Sequence, residues 1–236
     1  DYPHFDAEDA WEAIEHMRDA GVPEDAVAKL MGGNALRMYG IEPTLHVREK
    51  RDSRFEGAEV VILGASSGMG LATARAASEA GASVTIVARD AQRLEAARAG
   101  LGGAVRARSL DAADADAVEA LFAEVGSVDH VVSFTGDQPT GTVADTDHDT
   151  YVRALDARVW AGRNACASAA PRMRPGGSFT FCSGVSAIRA RPNRFAGAVA
   201  TAGLESFVRA MAVELAPLPA ERVALHAYGG AFAVAR

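Results

Sequence analysis

From residue 58 onward, short apolar runs alternate with stretches in which apolar residues return every three or four positions. The runs near 59–63, 83–88, 104–108, 128–134, 177–182 and 222–227 predict strands. The periodic stretches near 69–80, 90–99, 113–125, 147–170 and 198–215 predict helices, and Gly81 and Gly126 stand where helix ends favour glycine. Alternation of this kind predicts an α/β domain: a parallel sheet buried by helices on both faces. Right-handed crossovers give a doubly wound strand order 3-2-1-4-5-6, with a ligand crevice at the carboxyl ends of strands 1 and 4.

Residues 1–43 have a different character. Trp11, Ile14 and Met17 recur at helical spacing and Gly21 closes that helix. Pro23-Glu24-Asp25 opens a second one, with acids in its first turn and Lys29 near its end. Gly32-Gly33 stops it, and Asn34 caps a last turn through Leu36, Met38 and Tyr39. So short a helical extension must dock on something to be stable. The run Arg48–Arg54 mixes both charges without periodicity, so residues 44–57 read as a solvated linker before a domain at 58–236. Both ends read as cut, and the last strand of the sheet is expected to be missing.

Composition narrows the function. An apolar share of 49% supports a large core. A net charge of −7 argues against nucleic acid as a partner. No uninterrupted apolar run reaches the roughly 18 residues of a membrane span, and no signal-peptide pattern opens the chain, so a cytoplasmic location is expected. Cys166 and Cys182 read as reduced and buried, and no His or Cys spacing predicts a metal site.

The chemistry concentrates at Leu63-Gly64-Ala65-Ser66-Ser67-Gly68-Met69-Gly70. A strand runs into a glycine turn that opens directly into an alanine-rich helix, which is the setting of a dinucleotide site. Gly64 lets the strand break sharply, Gly68 lets a diphosphate approach the backbone, and Gly70 lets the helix pack close to the sheet. Ser66, Ser67 and Met69 complete the loop. The diphosphate would rest on the unpaired N–H groups and positive dipole end of the helix.

With that turn, residues 58–230 resemble the short-chain dehydrogenase/reductase family, which implies a Rossmann-type fold and hydride transfer between a nicotinamide cofactor and a small alcohol or carbonyl substrate. The resemblance gives Arg89 the ribose 2′-phosphate, and so NADP over NAD; Asp90 reads as the cap of the next helix. It gives Asp111 the adenine amino group and Gly136, in Ser133-Phe134-Thr135-Gly136, the close approach to the cofactor. The family's catalytic tyrosine and lysine fall at Gly197 and Thr201, so both are absent, and its asparagine falls near Arg158. Its serine falls at Gly184, with Ser183 adjacent and left as the candidate for holding a substrate oxygen. His226 and Tyr228 are the other proton-donor candidates. Tyr151 reads as core, and Arg158 as a helix-surface arginine in preference to an anion ligand. The resemblance also implies a homo-oligomer through helices near 147–170 and 198–215.

Residues 1–43 resemble the carboxyl end of the amidohydrolase superfamily through Asp1-Tyr2-Pro3-His4 and Gly32–Gly40, with Asp1 matching a catalytic aspartate. Three functions therefore compete: an NADP-dependent oxidoreductase with atypical catalytic residues, an inactive NADP(H)-binding protein, and a remnant of a metal-dependent amidohydrolase or decarboxylase fusion.

Overall fold

A computed structural model of the chain describes residues 10–30, 55–102, 105–189 and 191–215. The chain divides into two compact units, the first ending at Glu49. In the first, α1 (Ala10–Asp19) and α2 (Glu24–Ala28) follow the expected helical spacing. Gly21 at φ +74° provides the break between them. Arg18 pairs with Glu24, and Lys29 with Asp25 at 2.7 Å. The expected turn at 34–39 and the Asp1 motif lie outside the described residues.

The second unit holds β1 (Glu59–Leu63), α3 (Gly68–Glu79), β2 (Ser83–Ala88), α4 (Ala91–Ala99), β3 (Arg106–Ser109), α5 (Ala115–Val125) and β4 (Val128–Ser133). It continues through α6 (His148–Leu155), a π-helical turn (Asp156–Trp160), α7 (Ala161–Ala169), β5 (Met173–Phe181) and α8 (Phe195–Glu214). All strand pairs are parallel, in the order β3-β2-β1-β4-β5. This is the expected doubly wound order through five strands; the sixth, at 222–227, lies outside the described residues.

The strand period of two divides the core. Val61 and Leu63 of β1 face one side, with Phe122 of α5, Ala165 of α7 and Leu204 and Val208 of α8. Val60 and Ile62 face the other, with Ala74 of α3 and Leu94 of α4. Helix starts follow side-chain chemistry. Asp90 caps α4 by accepting from the Arg93 amide at 3.0 Å, and Asp114 caps α5 by accepting from the Asp116 and Ala117 amides.

Four expectations are corrected. β5 begins at Met173 rather than 177: Val128 pairs Met173 and His130 pairs Ser178, so Pro175-Gly176-Gly177 form a hump within the strand instead of preceding it. β3 runs two residues later than 104–108 begins, to Ser109. Phe55, assigned to the linker, packs on the α3/α4 side of the core and sets its ring edge against His130 at 5.3 Å. Cys182 is half-buried rather than buried, while Cys166 is buried and burial pushes its thiol up to about 12. Among the described residues α8 is long and apolar enough to cross a membrane, at mean hydropathy 1.2. Its many alanines and glycines reach that average without an unbroken apolar run, and its Leu204 and Val208 are core residues.

His130 makes stability depend on pH. Its Nδ1 lies 2.8 Å from Ser178 Oγ, and burial holds the imidazole below its ordinary value near 6.5, with Asp129 opposing in part. Because the folded value is the lower one, the unfolded chain binds the extra proton. The contribution is complete above about pH 6.5 and is lost as pH falls through 6.5 toward the folded value. Melting temperature measured from pH 7.5 to 5 is expected to fall less steeply for His130→Gln than for the wild type.

Candidate functional site

The carboxyl ends of β1 and β4 open a groove, as the crossover pattern requires. Its wall includes Gly64, Ser66, Arg89, Asp111 and Gly136, around a cavity of about 230 Å³. Five sequence-predicted residues therefore meet at one place.

The turn after β1 is built from backbone. Gly64, at φ +81°, donates from its amide to Val87 O at 2.8 Å. A Cβ there would meet the Phe134 carbonyl carbon at 2.9 Å. Gly68 sits at φ +55° with nothing within 4 Å of a Cβ, so the space in front of it is open. Gly70 is the tightest position: a Cβ would meet Gly64 O at 2.2 Å, because the first turn of α3 lies directly on the end of β1. Ser67 is the N-cap of α3 and makes no side-chain capping bond. The first main-chain helical bond runs from the Leu71 amide to Ser67 O, which leaves the N–H groups of Gly68, Met69 and Gly70 for another acceptor. Met69 is 61% exposed beside them.

At the end of β2, Arg89 is exposed on the groove wall, and its guanidinium has no partner among the described residues. Its carbonyl is held by Ser109 Oγ at 2.9 Å, so the main chain here is fixed independently of the side chain. Arg93, one turn into α4, also faces the groove and donates to Ser67 Oγ at 3.4 Å. Sequence reasoning missed it because a helical arginine reads as solvated surface. Asp111 accepts from the Ala113 amide at 3.0 Å. That loop is tied down by Asn164 of α7, buried and donating to Ala112 O and Ala113 O at 3.1 and 3.0 Å. Asn164 was also missed; a single amide in the alanine-rich run 161–169 was its only signal.

These residues fit a dinucleotide by their own chemistry. Free amides and a helix dipole suit a diphosphate, an unpaired guanidinium suits a further phosphate, and the glycines leave the room.

The positions that the resemblance gives to a tyrosine and a lysine hold Gly197 and Thr201. At Gly197 a Cβ would meet Gln138 Cα at 3.7 Å. The loop carrying Gln138 is strapped to the start of α8 by the Gly141 amide on Asn193 O and by Arg194 on Gln138 O, at 3.0 and 2.8 Å. Thr201 is buried and donates to Gly197 O at 2.6 Å, while Ser186 donates to Thr201 Oγ1 at 3.3 Å. Ser183 is 8% exposed, and its hydroxyl donates to Glu205 Oε1 of α8 at 2.7 Å. Neither Ser186 nor Glu205 stood out in the sequence. Tyr151 is half-buried and stacks on Phe195 at 5.9 Å.

Arg158 departs most from expectation. It is 8% exposed, not a helix-surface residue, because the π turn swings it inward beneath Gly136. A Cβ on Gly136 would meet its Cζ at 2.6 Å. Burial pushes its pKa down, opposed in part by electrostatic interaction with Cys182 and Asp137. His226 and Tyr228 lie outside the described residues. Among the described residues no three His, Cys, Asp or Glu side chains gather.

A family model described as enoyl-(acyl carrier protein) reductase matches residues 64–223. The chain is 31% identical to a 2-keto-3-deoxy-L-fuconate dehydrogenase of Xanthomonas campestris over 72% of this chain and 58% of that protein. It is also 31% identical to an L-rhamnose 1-dehydrogenase (NAD(P)(+)) of Azotobacter vinelandii, over 67% of each. Among solved structures, an NADPH-bound short-chain oxidoreductase of Pseudomonas aeruginosa PAO1 described as containing an atypical catalytic center matches with TM-score 0.67 and 30% identity, covering 72% of this chain and 70% of that one. The chain spans 58 to 63% of the length of three curated relatives that it matches.

Proposed function

The chain belongs to the short-chain dehydrogenase/reductase family of oxidoreductases that act on alcohols and carbonyl compounds, and from that footing we propose that it is an NADP-dependent member with atypical catalytic residues. The observation that carries this reading is the α3 amino terminus, whose first three N–H groups have no main-chain acceptor, next to a groove walled by Gly64, Ser66 and Arg89. Gly64, Ser66, Ser67, Gly68, Met69 and Gly70 form the diphosphate cradle. Arg89, with Arg93 beside it, takes the 2′-phosphate, Asp111 the adenine, and Gly136 lets the cofactor approach the main chain closely. Bound there, the dinucleotide supplies a hydride at its nicotinamide C4.

The protein must manage the proton on the substrate oxygen. We assign that oxygen to Ser183. Because Ser183 donates to Glu205, its lone pairs are the free side of the hydroxyl. In the oxidative direction the substrate hydroxyl passes its proton to Ser183 Oγ as the serine proton passes to Glu205; reduction runs in reverse. Trp160, 49% exposed on the π turn, and Val199 on α8 support pairing of two copies through these helices.

The test is a titration with NADPH and NADH followed by nicotinamide fluorescence, and then by NADPH consumption with a panel of aldehydes and ketones. NADPH is expected to bind at least about tenfold more tightly than NADH, a difference of roughly 1.4 kcal/mol. If neither cofactor binds, the reading is wrong. Binding without consumption favours the second reading, a non-catalytic NADP(H)-binding protein, which the glycine at 197 and the back-bonded Thr201 support.

A further inference from the structure

We propose that Arg158 is the substrate-anion ligand of this site, so that the substrate is an oxo acid or hydroxy acid whose carboxylate the guanidinium binds. The proposal rests on the oxidoreductase reading and adds the class of substrate.

Five other arginines of the sheet region have their charges answered, Arg98 by Glu95, Arg106 by Glu59, Arg108 by Glu124, Arg172 by Glu119 and Arg174 by Asp129, whereas Arg89 is unpaired but exposed. Arg158 is the most buried of these and has no ion pair or hydrogen bond among the described residues. Its Nε is fully buried with no partner. A charged group in that position needs an opposite charge or it destabilises the fold. Asp137 and Cys182 bias it electrostatically without bonding it.

The backbone is shaped around this side chain. A π turn is uncommon and often marks a functional position. This one sets Ala157 on the groove wall and Arg158 beneath Gly136, where any side chain on residue 136 would displace the guanidinium. Cys182, within electrostatic reach, is the neighbour of Ser183, to which the reacting oxygen is assigned. The cation therefore lies behind the groove wall at Gly136, on the side to which the reacting oxygen is assigned. The diphosphate end is served separately by α3 and Arg89. An anion that completes Arg158 must then belong to the substrate. The planar fork of a guanidinium matches a carboxylate with two parallel N–H···O bonds.

The experiment compares pyruvate, 2-oxobutyrate and phenylpyruvate, each beside its neutral methyl ester. Binding is read by thermal shift and tryptophan fluorescence, with and without NADPH, and turnover by NADPH consumption. In the wild type at least one acid is expected to bind about tenfold or more tightly than its ester. Arg158→Met is expected to abolish that preference, to keep NADPH affinity, and to raise the melting temperature without ligand by removing an unanswered buried charge. Arg158→Lys is expected to keep part of the preference. Equal binding of every acid and ester by the wild type overturns the proposal. So does a preference that survives in Arg158→Met, or a fall in that variant's melting temperature. Failure of NADPH to bind while the acid preference holds would overturn the cofactor reading and leave the anion site standing.

Discussion

Gly70→Ala is expected to reduce NADPH affinity on the order of 100-fold and to destabilise the domain by about 1–3 kcal/mol. The added methyl would stand 2.2 Å from Gly64 O and 2.9 Å from Ala65 Cα, both main-chain atoms that no rotamer change can move. Relief requires α3 to lift from the end of β1. The N–H groups of Gly68, Met69 and Gly70 then move away from the end of β1. Each charge-assisted hydrogen bond is worth about 1.5–3 kcal/mol, so losing one or two accounts for the fall in affinity. Gly126→Ala separates this from general strain. Gly126, unlike Gly70, has a positive φ, +77°, but lies in open space at the end of α5. That variant is expected to lose about 1–2 kcal/mol of stability with unchanged NADPH affinity. The two titrations and two thermal melts decide the matter. Unchanged NADPH affinity in Gly70→Ala would remove the turn from the cofactor site.

The strand order, the glycine turn and the groove wall were legible because each depends on local pattern. Val60 to Leu63 announce a buried strand, and Asp90 announces a cap three residues before the amide that it accepts. What was not legible depends on residues distant in sequence. Arg158 reads as surface because helical periodicity does not reveal a π turn, nor that Gly136, 22 positions earlier, will leave a space for it. Ser183 reads as an open strand-end hydroxyl until α8 brings Glu205 to it. Gly177 reads as the start of a strand because the sequence does not show that Met173 will pair with Val128. Phe55 reads as linker beside a charged run, since its partner His130 is on β4. In each case the deciding contact spans more than a helical turn.

Reversing the charge at Arg89 is expected to reverse the choice of cofactor. In Arg89→Asp, a carboxylate replaces the cation on the groove wall and meets the 2′-phosphate of NADPH with like charge. It can instead accept a hydrogen bond from the free 2′-hydroxyl of NADH. NADPH affinity should fall on the order of 100-fold while NADH affinity holds or rises, the two differing by roughly 2.7 kcal/mol or more in shift. The fold should survive because the Ser109 bond holds the Arg89 carbonyl and Asp90 alone caps α4. Arg93→Gln should cost less, about tenfold and for NADPH only, since Arg93 is partly engaged with Ser67. Both arginines are exposed, so the wild-type preference itself should shrink as salt rises from 0.05 to 0.5 M, a range over which the screening length falls below about 10 Å. Fluorescence titrations of both cofactors against the three proteins at two salt concentrations measure all of this. An equal loss for NADPH and NADH in Arg89→Asp would mean that the residue shapes the groove without reading the phosphate, and NADP would lose its claim over NAD.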